Sequence, residues 1–585
     1  MTRRVSILVY SLAIGLVLLG LQSWGVAIGL VERHVVSRIE DRTGLKVTGL
    51  ERANIVLLPL PRIELSQVSF RQHDGLLSGK ASQLKARARL LPLLIGRLSF
   101  DRIDLVSPEI DATVAGRNDE LSEWLATPLA YLSGLTNQSR IVIISGSVFA
   151  RAEGAIRTIL RDVNLVIEDR DPEEPIIASG SVTWRGVATN LSVVWPVAGE
   201  RARLSLSATS ERMNLRLDGI RSGLREPVFN GQLSLATRSL PDLFGWFGET
   251  PRLAAAIGQL SLAAEAQIKA NEISLSSASA IFDGDRLDGA IMLGEAGQRW
   301  FLSGTLAGAT LDLGRMTSRL GLPKPGAGLA NPTPLEFEAW TAHDIDLRVS
   351  VDAARLGGAR LSDVATQLLV KKGRFEAGLL RATAYDGSVK GRLLASAVPN
   401  AIDVKLQGNL DRINLGQSAA DLPDLPKLSG QGNLQFALDG TGTTAEAVLA
   451  SLNGRASLSL RQGELGGFAF SDLLRRAERN PVAALREWRQ GKTAFDNASA
   501  TANVADGIAT IADAQMTGPT YRLTLAGQAF LQQSWIEMAG QLAQQSGSLT
   551  VPLVLQGPLE GPSLALDSEA TLRPAGSSLP NLLTR

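Results

Sequence analysis

The chain has 585 residues, with 59 Lys plus Arg against 58 Asp plus Glu, 45% apolar and 5% aromatic residues, three His and no Cys. The length exceeds one ordinary folding unit and argues for several, or for an elongated repeat. The apolar fraction excludes a disordered chain, the balanced charge argues against a nucleic-acid binder, and the missing Cys excludes disulfides, thiolate catalysis and Cys-held metal.

Arg3 and Arg4 open the chain, and the 27 residues from Val5 to Val31 carry no charge. At about 1.5 Å per residue such a run spans a hydrocarbon core of about 30 Å. The positive-inside bias leaves residues 1–4 cytoplasmic and puts the rest of the chain across the membrane. A cleaved signal peptide is the alternative, but its core would be shorter, and Trp24-Gly25-Val26-Ala27 is a poor cleavage site. The reading is therefore an uncleaved anchor over 5–31.

Three β-rich regions follow, 32–150, 151–344 and 345–570. Apolar and polar residues alternate with period two, most clearly over Ile345-Asp346-Leu347-Arg348-Val349-Ser350-Val351-Asp352. The same pattern recurs at Ile63 and Leu65, Leu204 and Leu206, Leu233 and Leu235, Ile273 and Leu275, Leu434, Phe436 and Leu438, Leu458 and Leu460, and Leu523 and Leu525. Strict alternation gives a strand one apolar and one polar face. Asp-Gly at Asp74, Asp218, Asp283, Asp288, Asp386, Asp439 and Asp506, with Asn-Gly at Asn230 and Asn453, reads as hairpin turns between antiparallel strands. Helical patterns are few: Leu121 to about Leu135, Leu240 to Phe247 behind Ser239 and Pro241, and Phe470 to Arg489, interrupted by Pro481. Residues 571–585 read as a flexible tail.

So few helices cannot cover the apolar face of so many strands. Two sheets could pack face to face, the sheet could close into a barrel or solenoid, or it could curl into a trough filled by something other than protein. The inward positions are Leu, Val, Ile and Ala with few aromatics, a lining that acyl chains can fill at about 0.8 kcal/mol per buried CH₂ without directional partners. The fold expected is mainly β: an elongated, curled antiparallel sheet forming an apolar groove, with one N-terminal transmembrane helix and short capping helices.

Two stretches carry a family resemblance. The first runs Ile39 to Val47, Leu58-Pro59-Leu60-Pro61-Arg62-Ile63-Glu64-Leu65, Leu84 to Leu98 and Leu105 to Ile110. The second includes Gly357 to Val364, Tyr385-Asp386-Gly387-Ser388-Val389-Lys390-Gly391, Ser451-Leu452-Asn453-Gly454, Gly463 to Gly467, Val551-Pro552-Leu553 and Gly557 to Pro562. In order and spacing these resemble the N-terminal and C-terminal regions of the AsmA family of bacterial envelope proteins. The centre, about 150–340, is least specific. Asp386 departs from an expected second Gly, and Phe468-Ala469-Phe470-Ser471 lengthens the step into the Asp472-Leu473-Leu474 helix. The resemblance implies a groove-like periplasmic scaffold held by the bacterial inner membrane. It also implies a part in outer-membrane biogenesis, with phospholipid carried along the groove or outer-membrane proteins assembled and targeted. It carries over no catalytic residue.

No motif speaks for another chemistry. His34, His73 and His343 lack partners at ligand spacing. Asp169, Asp171, Glu173 and Glu174 lack the regular offsets of a calcium loop. No nucleotide loop, zinc-protease motif or nucleophile elbow occurs. The Arg475, Arg476, Arg479, Arg486 and Arg489 side chains beside the 470–489 stripe suit either a helix that plugs the trough end or one that touches headgroups. The expectation is a non-enzyme with no cofactor or metal, no nucleic-acid or nucleotide partner, phospholipid as ligand, the inner membrane as anchor, and an envelope protein as a further partner. The groove candidates are Ile63, Leu65, Leu204, Leu206, Ile345, Leu347, Val349, Val351, Leu434, Phe436, Leu438, Leu458, Leu460, Leu523 and Leu525. The second reading is a scaffold or regulator of outer-membrane protein assembly and targeting, with the apolar face already filled by protein.

Overall fold

The structure is a computed structural model. It describes scattered positions between 12 and 25 and most residues from 45 to 566, apart from 57, 59, 73–76, 90–99, 114–139, 153–154, 169–173, 196–200, 224–226, 298, 322–333, 419–420, 422–427, 480–490, 547–548 and 560. The expected helix over 121–135, the second half of the 470–489 helix, the tail, His34, His73 and most of the acidic loop lie outside the described residues.

The chain is mainly β, as the alternation requires, and its contacts divide it into two units: Met1–Arg238 with Ser261–Ala270, and Ser239–Leu260 with Asn271–Arg585. In each unit strands of about 9 to 14 residues pair with their sequence neighbours in antiparallel register, for example Leu393 opposite Leu406 and Leu206 opposite Leu217. Among the described strands each unit also holds one parallel pair. Phe100–Thr113 runs parallel to Arg140–Ala152, and Arg299–Asp312 runs parallel to Asp344–Leu356. A parallel pair needs a crossover instead of a hairpin, so a reading in hairpins alone misses both.

The turn signals divide by chemistry. Asp283-Gly284 and Asp506-Gly507 are tight turns with both residues at positive φ. At Tyr385-Asp386 the turn sits one residue earlier than the Asp-Gly pair suggests, at φ 49° and 63°, and Gly387 already begins the next strand. Asp218-Gly219, Asp288-Gly289, Asp439-Gly440 and Asn230-Gly231 lie inside strands, and Asn453-Gly454 begins one. Close approach explains the glycines there. A Cβ on Gly219 would sit 2.5 Å from the Gly231 Cα and 2.7 Å from the Phe229 ring. The scarce aromatics serve the same end. Phe70, Phe301, Phe436 and Phe495 each stand opposite a glycine, Gly79, Gly294, Gly408 and Gly463, and lay their rings over it, restoring the packing a glycine strand lacks.

Six short helices are labelled in chain order: α1 Leu240–Phe247, α2 Leu313–Arg319, α3 Phe337–Trp340, α4 Leu415–Ser418, α5 Ala445–Ala450 and α6 Phe470–Arg479. α1 matches the sequence expectation, with the Ser239 hydroxyl accepting from the Asp242 N–H and Gly248 closing it at φ 92°. α6 seats Phe470, Leu473 and Leu474 in a cluster with Phe495, Tyr521, Leu542 and Leu553. Its first turn is held by Thr493, whose hydroxyl accepts from the Phe470 N–H at 3.0 Å. α5 closes the opposite ends of neighbouring strands, beside a cluster of Leu452, Val504, Ala509 and Ala529.

The expected anchor needs a correction at its end. The described residues from Leu12 to Leu21 are helical, but Trp24–Gly25 is a strand paired with Asn54 and Ile55. The Leu58 N–H also bonds the Gly20 carbonyl at 2.7 Å. Strand Arg52–Val56 offers a free backbone edge, and that edge takes up the chain before the uncharged run ends. The rest of the 5–31 run lies outside the described residues. Among the described residues no helix is long and apolar enough to cross a membrane.

Candidate functional site

Register, more than composition, defines the candidate site. In the second unit, partner follows partner from Leu275 through Ile291, Gly304, Leu347, Leu368, Ala377, Leu393, Leu406, Leu438, Gly454 and Val504 to Ala509. No position in that row is polar. A parallel row runs Val389, Leu410, Leu434, Leu458, Ala500, Ala514, Leu525, Gly540 and Leu553. A third passes from Leu306 and Val349 through Thr366 and Leu379 to Gly408 and Phe436. Directly opposed residues share a face, so these rows form one charge-free surface.

The first unit repeats the arrangement. One row joins Ile55, Ile63, Ala86, Ile103, Ile141, Ile167, Ala178, Val193, Leu206, Leu217 and Leu233. Beside it another joins Leu65, Leu84, Leu105, Ile143 and Leu165.

Charge sits on the other face. Arg62 pairs with Glu64 at 2.8 Å, flanking Ile63, and Arg102 with Asp104 at 2.7 Å, flanking Ile103. Arg374 and Arg392 both reach Glu376, at 3.0 and 2.7 Å. Such exposed pairs add little stability; they keep one face wet while the other stays apolar.

Every groove candidate falls on these surfaces, in two environments. Ile63, Leu65, Val351, Leu460 and Leu523 are buried. Leu204, Leu206, Ile345, Leu347, Val349, Leu434, Phe436, Leu438 and Leu525 are half-buried, and Leu458 is 38% exposed. A core position flanked by strands on both sides is normally buried completely. Burial is complete beneath α2 and α6 and in the Ile141–Ile167 cluster of the first unit, while other mid-strand positions such as Leu406 and Leu458 stay open. Sequence reading missed Leu368, Leu393 and Leu406 (39% exposed), because their strands alternate less strictly.

Two ion-pair clusters, around Asp283 and Asp344, sit at strand ends. Burial pushes the Asp283 carboxyl up, but hydrogen bonds from Arg319 and from the Gln259 and Gly258 N–H groups outweigh it and hold the group at about 2. Asp344 accepts from Arg299 at 2.7 Å and Lys371 at 3.1 Å. His343 Nδ1 and Asp346 Oδ1 are buried with no hydrogen-bond partner. Among the described residues no group of three or more His, Asp or Glu could hold a metal ion.

In comparison with known protein families, the AsmA family model matches residues 325–514. The matched span holds the Tyr385-Asp386 turn, the Ser451–Gly454 step, α6 and the middle of the open rows. The N-terminal stretch 39–113 and the closing Gly557–Pro562 lie outside it. No curated protein and no solved structure matches the chain. The family is associated with the bacterial envelope and with outer-membrane biogenesis. Over residues 325–514, about a third of its length, the chain is similar to the AsmA family.

Proposed function

We propose that the charge-free faces carry phospholipid acyl chains, and that the chain is a non-catalytic, inner-membrane-anchored protein of the bacterial envelope with its bulk in the periplasm. One observation carries this reading. Mid-strand positions on an unbroken apolar surface remain half-exposed, with Leu406 and Leu458 at 39% and 38%. Apolar surface left open on this scale marks a binding surface, and aliphatic side chains without polar groups suit a ligand that is itself a hydrocarbon. The helical Leu12, Ile14, Val17 and Leu18, all at least 50% exposed, support the anchor, and Arg3 and Arg4 support its orientation.

Photo-crosslinkers at Leu347, Val349 and Phe436 test the reading in cells, with native mass spectrometry of the purified protein beside them. Phospholipid on the crosslinked residues and in the spectrum is the expected result. Protein-only crosslinks and a lipid-free spectrum would overturn it and favour assembly or targeting of outer-membrane proteins.

A further inference from the structure

Between the strands Glu272–Phe282 and Ala359–Lys371 the apolar face is covered at one end, where Leu287, Leu306, Leu311, Val351, Ala354 and Leu361 are buried, while Leu347 stays half-exposed. Because Arg299–Asp312 and Asp344–Leu356 are parallel, the chain between them must travel back from one strand end to the other. It leaves as α2, whose Leu313 and Met316 pack on a cluster that includes Leu306, Leu311, Val351 and Ala354. It arrives as α3, whose Trp340 meets the Phe375 ring edge-on at 6.2 Å. A second segment, the 3₁₀ turn Arg252–Ala256, touches both α2 and α3. Its Arg252 guanidinium lies 5.9 Å from the centre of the Trp340 ring.

This cover is built differently from α6. At α6, Phe470, Leu473 and Leu474 are 0–3% exposed, so lifting it would bring three large apolar side chains into water. Neither α2 nor the 3₁₀ turn buries any side chain completely. Polar pins hold α2 instead. Arg315 reaches Asp285 at 2.7 Å, Arg319 pairs with Asp283, and Asp283 also accepts from the Gly258 and Gln259 N–H groups at 3.1 and 2.9 Å. Water replaces such contacts at low cost once they part. A helix of seven residues has little stability of its own. Gly248, at φ 92°, supplies a backbone joint between the firmly seated α1, with Leu243 and Trp246 buried, and the turn.

We propose that α2 and the 3₁₀ turn are a hinged cover, closed by the Asp283–Arg319 and Asp285–Arg315 pins, whose opening admits an acyl chain to the strands beneath. The admission step rests on the lipid reading above; the hinge does not.

Because the chain has no Cys, single cysteines report opening directly. Val351→Cys lies under the cover, and Leu474→Cys lies on the buried face of α6 itself. In the full-length protein, maleimide should label the first at least about tenfold faster than the second. Adding Arg315→Ala with Arg319→Ala should raise the Val351→Cys rate by about tenfold again and leave Leu474→Cys unchanged. Equal rates at both sites, or rates that rise together, would overturn the hinge. A photo-crosslinker at Leu306 should capture more phospholipid when the pins are removed, with capture at Leu406 unchanged. Capture at Leu406 but never at Leu306 would overturn admission. Capture at neither would overturn the lipid reading, while the labelling rates still decide the hinge.

Discussion

Leu347→Asp tests the open face at its most exposed argument. Leu347 stands between Gly304 and Leu368 in the row that crosses the second unit, and it is half-buried. Gly304 has no side chain, so one flank of Leu347 is open to a ligand or to water. Solvent therefore reaches a carboxylate at this position in the free protein, and folding loses only part of a Leu side chain's burial, about 1 kcal/mol. A bound acyl chain changes the balance. Each CH₂ lying on a half-covered face gains about 0.4 kcal/mol, half the full-burial value. Stripping water from the carboxylate costs about 2 kcal/mol or more. Losing the contacts around one side chain and adding that penalty gives about 2–3 kcal/mol, a 30- to 150-fold loss of phospholipid binding. Ser350→Asp, on the same strand but the exposed opposite face, is the matched control and should bind as the parent does. The assay is titration with a fluorescent phospholipid, with thermal melts to establish that both variants fold. Unchanged binding in Leu347→Asp, or an equal loss in Ser350→Asp, would refute the argument. So would a variant that fails to fold, since that would mean the face is packed against protein.

Leu473→Ala removes a side chain that is 1% exposed on the buried face of α6 and should destabilise its unit by about 2–5 kcal/mol in denaturant titration. A Cβ at Gly408 would lie 2.3 Å from the Phe436 ring, so Gly408→Ala should be strongly destabilising alone and much less so beside Phe436→Ala; a double-mutant cycle reads that coupling. Asp283 titrates below its unfolded value, so its contribution is complete above about pH 4 and is lost as pH falls toward about 2. Asp283→Asn should flatten that acid limb and, after allowance for solvent screening, cost about 1 kcal/mol near neutrality, read by labelling of Val351→Cys across pH.

Each strand's own residues determined its two faces. Arg62-Ile63-Glu64-Leu65 and Ile345 to Asp352 alternate strictly, and a pleated backbone can place such side chains only one way. Ser239 with Pro241, and the spacing of Phe470, Leu473 and Leu474, marked two helices for equally local reasons. Register was not local. Four Asp-Gly or Asn-Gly pairs read as turns lie inside strands, because a glycine serves a tight turn and a close strand-to-strand approach equally well, and only the partner strand decides which. Leu368, Leu393 and Leu406 join the candidate face through partners that sequence distance conceals. Which parts of that face stay open was a tertiary matter as well. Val351 and Leu347 lie four residues apart on one strand with the same chemistry, yet α2 packs over the cluster that holds Val351, while Leu347 stays half-exposed. Where the chain passes after a parallel strand pair depends on contacts among distant segments, and no pattern within either strand records it.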